Sequence, residues 1–574
     1  MVEAPWRKLL NCSLMSDENK PIIVQSDRSV LLETDGPKFE DARDSIAAFA
    51  ELVKSPEHIH TYRITPLSLW NAAASGMTAG EIVDHLKAFS RYEIPENVIV
   101  DIEDNVARYG RLKLYKQEDG GDLVLHSEDS LLIMQLLNQK DLKPYVAGSP
   151  DGHRIFVKPA DRGNVKSALI KIGFPVEDLA GYIEGAPLKL SFRETTLSGT
   201  PFGLRKYQKE SVDAFYASGS NHGGSGVVVL PCGAGKTVVG IATIERLQTQ
   251  TLVLTTNTVA LRQWKNELID KTTISEDQCG EYSGDSKEIR PVTFATYQVL
   301  TYRKSKDSPF VHFSLFDEGN WGLIVYDEVH LLPAPVFRAT AALQARRRLG
   351  LTATLVREDA REDDVFSLIG PKKYDMPWKV LEKQGWIAQA LCTEVRAPLS
   401  QDERYRYAIA DKRGKFRIAS TNPVKTSVCE TLVKKHKEDN VLIIGQYLDQ
   451  LKVLAKHFKA PIITGQTANK KREELYAKFR TGECKLLIVS KVANFAIDLP
   501  DANVAIQVSG TFGSRQEEAQ RLGRILRPKS EGTIARFYSL VSRDTCDQDY
   551  SVKRQLFLTE QGYRYEIKNS DDLN

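Results

Sequence analysis

Gly226-Val-Val-Val-Leu-Pro-Cys-Gly-Ala-Gly-Lys-Thr237 is the stretch on which the fold turns. An apolar strand runs straight into a glycine-rich loop, and a helical pattern begins at its last residues. Such a loop offers backbone N–H groups and a helix N-terminus to phosphate oxygens, a lysine to the β- and γ-phosphates and a threonine hydroxyl to magnesium. The candidate nucleotide ligands are therefore Leu230, Pro231, Cys232, Gly233, Ala234, Gly235, Lys236 and Thr237, with Thr237 also a metal ligand. The strict phosphate-loop pattern asks for glycine at its first position, where this chain has Leu230.

Around this loop, short apolar runs alternate with helical patterns. Val227–Leu230, Leu252–Leu254, Val292–Phe294, Leu323–Tyr326 and Leu349–Leu351 form one series. Val441–Ile444, Pro461–Ile463, Leu486–Val489, Val504–Val508 and Ala535–Tyr538 form a second. Continuous Val/Ile/Leu strands separated by helices imply parallel sheets covered on both faces, hence two α/β domains in tandem. Upstream lie smaller α/β units, with Gly120-Gly121 expected to mark a turn between subdomains and Ser191–Gly203 expected to be a linker.

Bulk properties limit the classes. The 574 residues exceed one core, and 42% hydrophobic with 27% charged residues is ordinary globular composition. A net charge of +3 neither requires nor excludes a nucleic-acid partner. Seven scattered cysteines without a CxxC pair fit reduced thiols better than disulfides or a zinc site. No leader is expected from the first twenty residues and no apolar run approaches membrane-spanning length, so an intracellular protein without a membrane partner is expected.

Two further clusters carry chemistry. Gly322-Leu-Ile-Val-Tyr-Asp-Glu-Val-His330 ends a buried strand in two carboxylates. Asp327 can hold magnesium, and Glu328 can orient or deprotonate an attacking water. Glu518-Ala-Gln-Arg-Leu-Gly-Arg-Ile-Leu-Arg-Pro-Lys529 repeats arginine every third residue. Guanidinium groups from there can stabilise a transferring phosphoryl from a different domain than the phosphate loop.

The three clusters together resemble superfamily 2 helicases, which implies two RecA-like domains with ATP and Mg2+ between them. By this resemblance Gln208 of Leu204-Arg-Lys-Tyr-Gln208 would read adenine. Asn257–Trp264, Phe294–Tyr297 and Leu351–Thr354 resemble motifs that touch the nucleic-acid backbone or couple it to ATP, so Arg262, Thr296 and Thr352 become candidate contacts. Asp498 of Ser490–Pro500 would contact ribose, although Ala496 stands where many relatives have glycine. Arg524 and Arg527 would complete the catalytic site, with Gln520 and Arg521 tying the domains together.

Within the superfamily the resemblance narrows to the XPB type of DNA helicase. It rests on Leu230-Pro-Cys-Gly-Ala-Gly, Asp327-Glu-Val-His, Leu351-Thr-Ala-Thr-Leu-Val-Arg-Glu-Asp359, Glu518–Arg527 and the tail Lys553–Tyr563. Arg357-Glu-Asp359 falls on the family's triplet implicated in duplex opening, and a second such triplet follows at Arg361–Asp363. Ile64–Trp70 and Val165–Glu177 are similar to the family's N-terminal and damage-recognition-like modules.

The resemblance implies residues 1–118 as an N-terminal module, 119–190 as a damage-recognition-like domain and 195–378 as the ATP-binding RecA-like domain. Residues 379–574 would be the second such domain, with a short thumb-like insertion near 400–420. There Arg404-Tyr-Arg-Tyr407 and Lys412-Arg-Gly-Lys-Phe-Arg417 interleave basic and aromatic side chains in a pattern suited to nucleic acid, or alternatively to a solvated helical hairpin.

The implied activity is ATP-driven 3′-to-5′ unwinding or translocation on single-stranded or forked DNA in repair. A nuclease or repair protein is the expected partner class. The location would be cytoplasm and nucleoid for a bacterial or archaeal chain, or nucleus for a eukaryotic one, and compactness favours the former. RNA helicase, restriction-type motor subunit and inert DNA-binding scaffold are the alternatives.

Overall fold

The structure, a computed structural model, describes residues 19–55, 58–117, 121–305, 308, 310–333, 336, 340, 346–353, 362–490, 502–510, 534–561, 563 and 565–573. Four sheets follow one another along the chain. The first is antiparallel, with β1 (Ile22–Val24), β2 (Ser29–Glu33), β3 (Glu51–Lys54) and β4 (Ile59–Arg63) in the order β1-β2-β4-β3. Helices α1 (Phe39–Ile46), α2 (Pro66–Ala74), α3 (Ala79–Phe89) and α4 (Glu96–Arg108) accompany it. The starts of α2 and α3 are set locally, because Thr65 and Thr78 each close a capping box with Ser68 and Glu81.

The second sheet contains β5 (Leu112–Lys116), β6 (Leu123–His126), β7 (Val146–Asp151), β8 (Arg154–Val157) and β9 (Val176–Asp178), ordered β7-β8-β6-β5-β9. Leu112 and Leu114 share a core with Leu123 and Leu125, so this sheet begins at Leu112 and the connection holding Gly121 lies inside it. Helices α5 (Ser130–Leu137) and α6 (Arg162–Lys171) complete the layer.

Two seven-stranded sheets form the rest, and every strand pair in them is parallel. The first takes β10 (Ser225–Val229), β11 (Thr251–Thr255), β12 (Cys279–Tyr282), β13 (Val292–Thr296), β14 (Leu323–Asp327), β15 (Arg347–Thr352) and β16 (Lys372–Asp375) in the order β12-β13-β11-β14-β15-β10-β16. The second takes β17 (Ala390–Ala397), β18 (Val441–Gly445), β19 (Ile462–Ile463), β20 (Leu486–Ser490), β21 (Val504–Gln507), β22 (Ala535–Ser542) and β23 (Tyr565–Asn569) in the order β19-β20-β18-β21-β22-β17-β23. Every residue of β10, β11, β13 and β18 is buried, as continuous apolar strands between two helical layers must be. Two tandem RecA-like domains preceded by smaller α/β units is the architecture. In the first of them α7 (Lys206–Tyr216), α8 (Lys236–Leu247) and α9 (Thr258–Lys271) frame the phosphate loop.

The segment expected to be a linker is held down along much of its length. Arg193 and Leu197 donate backbone N–H groups to the carbonyls of Lys271 and Asp270 at the end of α9. Phe192 and Phe202 lie 5.2 Å apart, with the Lys271 ammonium over Phe202. Just upstream, Gly185 and Gly322 let two backbones touch: a Cβ on Gly322 would sit 2.0 Å from the Glu184 carbonyl oxygen.

A buried charge cluster marks where the small second sheet meets the first seven-stranded sheet. Arg162 grips both Asp178 oxygens at 2.7 and 3.0 Å, and Lys166 adds a third bond at 2.9 Å, all on side chains under a tenth exposed. Tyr182, a few residues beyond Asp178, donates to Ser225 at the root of β10 and lies under Arg162, Arg347 and Arg348. The helix Glu362–Leu368 is held on the same side. Its Phe366 meets Trp70 and Tyr109, and its Ser367 hydroxyl lies 3.3 Å from that of Ser167 on α6.

Two cations share one buried carboxylate here, so one positive charge is in excess. Burial, reinforced by Arg348 and Arg162, brings Lys166 down to about 8 despite the pull of Asp178, while Lys166 and Arg162 hold Asp178 well below the usual carboxylate range against burial. Removing the single anion should be far worse than removing the surplus cation. Asp178→Asn is expected to destabilise by about 3–5 kcal/mol, the cost of an orphaned buried charge, and Lys166→Met by much less. Between about pH 8 and the unfolded lysine range, the folded state sheds a proton that the unfolded state keeps, so stability rises with pH. Thermal unfolding from pH 7 to 9.5 should show that rise in the wild type and lose it in Lys166→Met.

Candidate active site

Three neighbouring strands, β14, β15 and β10, end on the same edge, the place where open parallel sheets collect their ligands. From β10 the chain enters the phosphate loop. Leu230 is buried and its N–H donates to the Thr352 carbonyl at 3.0 Å, so the loop is fastened to the end of β15. Pro231 is buried, Cys232 half-buried and Ala234 fully buried. Gly233 and Gly235 have φ of 81° and 82°, a region costly for side chains, and a Cβ on Gly235 would meet Gln208 Nε2 at 2.7 Å. Helix α8 starts at Lys236 with no side-chain cap on its first N–H groups, which leaves that end to an anion.

The loop is braced from α7. The Tyr207 hydroxyl donates to the Ala234 carbonyl at 2.6 Å, and Gln208 Nε2 donates to the same oxygen at 3.2 Å. Gln208 Oε1 accepts from the Arg205 backbone N–H. One amide hydrogen and one lone pair of Gln208 remain, enough to meet a base edge. Arg205 itself donates to the Tyr207 hydroxyl and stacks over Trp386, 4.3 Å from the ring centre.

From β14 come the two carboxylates. Lys236 Nζ lies 3.8 Å from Glu328 Oε1. Glu328 sits in the left-handed region, φ 49° and ψ 54°, a conformation that costs a non-glycine residue about 1–3 kcal/mol and recurs at working sites. Its Oε2 is buried with no hydrogen-bond partner among the described residues, 3.5 Å from His330 Nδ1. Asp327 receives the Trp264 indole N–H on Oδ2 at 3.0 Å, and its carbonyl receives the Tyr297 hydroxyl at 2.8 Å. Burial, then the adjacent Glu328 charge, pushes the Asp327 carboxyl up to about 7, against the Trp264 hydrogen bond and Lys236.

This arrangement can hold a triphosphate with a divalent cation and activate a water beside it. A buried carboxylate with one oxygen orphaned and the other facing a lysine fits a site built for more than the protein supplies. Thr237 and Asp327 are oxygen donors, the hard kind that suits Mg2+ shared with phosphates.

The candidate nucleic-acid contacts fall differently. Arg262 is exposed on α9 and ion-paired to Glu281 and Asp285. Thr296 is buried and caps the helix Tyr297–Leu300 through Val299 N–H. Thr352 is fully buried, its hydroxyl 2.6 Å from His330 Nδ1. In this conformation both threonine hydroxyls serve the protein. Arg357, Glu358, Asp359, Asp498, Gln520, Arg521, Arg524 and Arg527 lie outside the described residues.

The basic-aromatic segment is a pair of helices, Gln401–Ile409 and Lys412–Ser420. Phe416 and Tyr407 turn inward, against Tyr550 and onto the Cys546 N–H, while Tyr405 stays 75% exposed.

Tyr207, Trp264, Tyr297 and His330 also build the site, and no local pattern assigns them a role. All four stand inside quoted motifs, but their partners are distant in sequence.

Comparison with known proteins agrees along the chain. Residues 381–572 match the family described as ERCC3/RAD25/XPB C-terminal helicase. Residues 201–357 match the type III restriction enzyme res subunit, and residues 22–148 a helicase conserved C-terminal domain. The DNA 3′-5′ helicase XPB of Kineococcus radiotolerans is 55% identical, with 96% of this chain and 97% of that one covered. The chain belongs to the XPB helicase family. The XPB of Mycobacterium tuberculosis is 54% identical, covering 96% of this chain and 98% of that one. The general transcription and DNA repair factor IIH helicase/translocase subunit XPB of Enterocytozoon bieneusi is 34% identical, covering 96% and 93%. Similarity of this extent takes in the N-terminal sheets as well as the motor.

The two facing groups should fail in different ways. Lys236→Ala is expected to lose nucleotide affinity and turnover together. Glu328→Gln should keep nucleotide bound and lower turnover by about 10²–10⁴, the usual weight of a general base. Calorimetric nucleotide binding and single-turnover hydrolysis check both, and near-normal turnover in either would dissolve the site.

Proposed function

We propose that the chain is an ATP-hydrolysing DNA helicase that moves 3′ to 5′ and opens duplex DNA during repair. The observation that carries this reading is the 3.8 Å approach of Lys236 to Glu328 beside the Asp327 carboxylate, at one edge of a RecA-like sheet. In it Gly233–Thr237 cradle the phosphates, Thr237 and Asp327 would hold magnesium, and Glu328 orients or deprotonates the attacking water. Mg2+, when bound, neutralises charge on the β- and γ-phosphates. Gln208 meets adenine and Asp498 the ribose. Arg524 and Arg527 complete the site from the second RecA-like domain, and Gln520 and Arg521 tie the domains.

His330 gives the site its connection to the nucleic-acid side. Its Nδ1 contacts both Glu328 and Thr352, so a shift at Thr352 reaches the carboxylate through one intervening side chain. DNA in single-stranded or forked form is the substrate, with a nuclease or repair protein as partner class. The bacterial relatives favour a cytoplasmic protein working at the nucleoid, and no helix among the described residues is long and apolar enough to cross a membrane. The restriction-subunit match covers only the first motor domain, whereas the XPB relatives cover nearly the whole chain.

ATP hydrolysis measured with single-stranded DNA, forked DNA and RNA tests the reading. DNA should stimulate and RNA should not; equal stimulation by RNA would move the protein to another helicase class. Arg357, Glu358 and Asp359 belong to none of the hydrolytic groups. Replacing all three by alanine should leave DNA-stimulated hydrolysis intact and cut unwinding of a 3′-tailed duplex. The salt slope should change by about one phosphate contact at most. Parallel loss of both activities would assign the triplet to hydrolysis or folding, and loss of neither to a solvated loop.

A further inference from the structure

Trp264 is 2% exposed and lies at the meeting point of three elements that build the metal side of the site. It belongs to α9. Its ring packs on α8 at Gly240, one helical turn beyond Lys236, where a Cβ would meet ring atom Cη2 at 2.3 Å and Cζ3 at 2.9 Å. Its indole N–H reaches the end of β14 and donates to Asp327 Oδ2 at 3.0 Å. One rigid side chain therefore touches both the helix that begins with Lys236-Thr237 and the strand that ends in Asp327.

A carboxylate oxygen is a costly group to bury, and burial already works against the charged form of Asp327. Indole is a donor only, with a single N–H whose direction is fixed once the ring is packed. Gly240 removes the one side chain that would keep that ring from α8. The bond then holds one oxygen of the carboxylate in a fixed direction, which packing of apolar groups alone would not do. Tyr297 anchors the same residue at its carbonyl, so Asp327 is held at both its backbone and its side chain by aromatic donors from elsewhere in the sheet edge. Groups that orient a metal-holding side chain in this way ordinarily carry much of the affinity for the ion.

We infer that Trp264 is a positioning residue for the divalent cation: by its N–H it fixes the Asp327 carboxylate against the α8 N-terminus and so sets metal affinity without touching nucleotide. This rests on the reading of Asp327 as the metal-holding carboxylate. Because Trp264 lies on α9, whose opposite side exposes Arg262, the same side chain carries any displacement of that helix to the metal side of the site.

The test measures Mn2+ binding to the full-length protein saturated with ADP, by electron paramagnetic resonance, beside ADP binding without metal. Two variants remove the N–H: Trp264→Phe, and Trp264→benzothienylalanine, which keeps the shape of the indole and guards against a packing defect. Both should weaken Mn2+ by roughly 10–100-fold, the span typical of lost orienting partners. Metal-free ADP affinity should stay unchanged, and hydrolysis should recover as Mg2+ is raised. Wild-type Mn2+ affinity in the benzothienylalanine protein overturns the inference, as does equal loss of metal-free ADP binding. Asp327→Ala separates the two levels. If it too leaves Mn2+ affinity intact, the reading of Asp327 fails; if it abolishes Mn2+ binding while the Trp264 variants do not, only the role of Trp264 fails.

Discussion

Lys236 and Glu328 stand far apart in sequence, and what brings them together is the insertion of β15 between β10 and β14. The parallel register pairs Val229 with Thr352 and Asp327 with Leu351, so the three strands end level with one another. The Leu230 N–H then continues the ladder to the Thr352 carbonyl and fixes where the phosphate loop leaves the sheet. Shift that register by one residue and every inward side chain of a strand would turn to the other face. The orphaned Glu328 oxygen, the Trp264 bond and the His330–Thr352 contact all depend on this alignment. The groups proposed as catalytic owe their positions to backbone pairing first and to their own contacts second.

The same sheet also receives the rest of the molecule. Tyr182 fastens the incoming chain to Ser225 at the opposite end of β10, and Arg348, next in β15, donates to the Leu368 carbonyl of the helix that holds Phe366. Trp70 and Tyr109 close on that phenylalanine from the N-terminal layers. The N-terminal layers thus grip a helix that begins three residues after Asp359. In the second RecA-like domain a similar economy holds. Lys425, Asp547 and Arg554, each about 1% exposed, form a buried ionic group, and Lys425 also donates to the Val508 carbonyl at the end of β21. Buried ions in such numbers contribute little net stability but make misplacement expensive. They define position.

How much of this the sequence disclosed follows from its physics. β10, β11, β13 and β14 were legible because strands buried on both faces are continuous apolar runs. β12 (CGEY), β16 (KKYD) and β23 (YEIKN) were not, since they are sheet edges that keep polar residues. β17 escaped as well, because Glu394 and Arg396 interrupt its apolar pattern and find partners in each other and in Ser551. Lys236, Asp327 and Glu328 were legible from local motif chemistry. Trp264, Tyr207, Tyr297 and His330 were not, because each acts through a partner on another strand or helix, and no spacing rule encodes that. Ser191–Gly203 was misjudged for the same reason: its turn-rich composition gave no hint of the α9 surface that holds it.

A motor whose catalytic edge is set by one parallel register, and whose relatives are 3′-5′ helicases, should move in one direction only. The most direct measurement is ATP-dependent strand separation on two duplexes identical except for a 3′ or a 5′ single-stranded tail. The 3′-tailed duplex should unwind, the 5′-tailed one should not, and unwinding should vanish when ATP is replaced by a non-hydrolysable analogue. Equal unwinding of both, or unwinding that persists without hydrolysis, would contradict it.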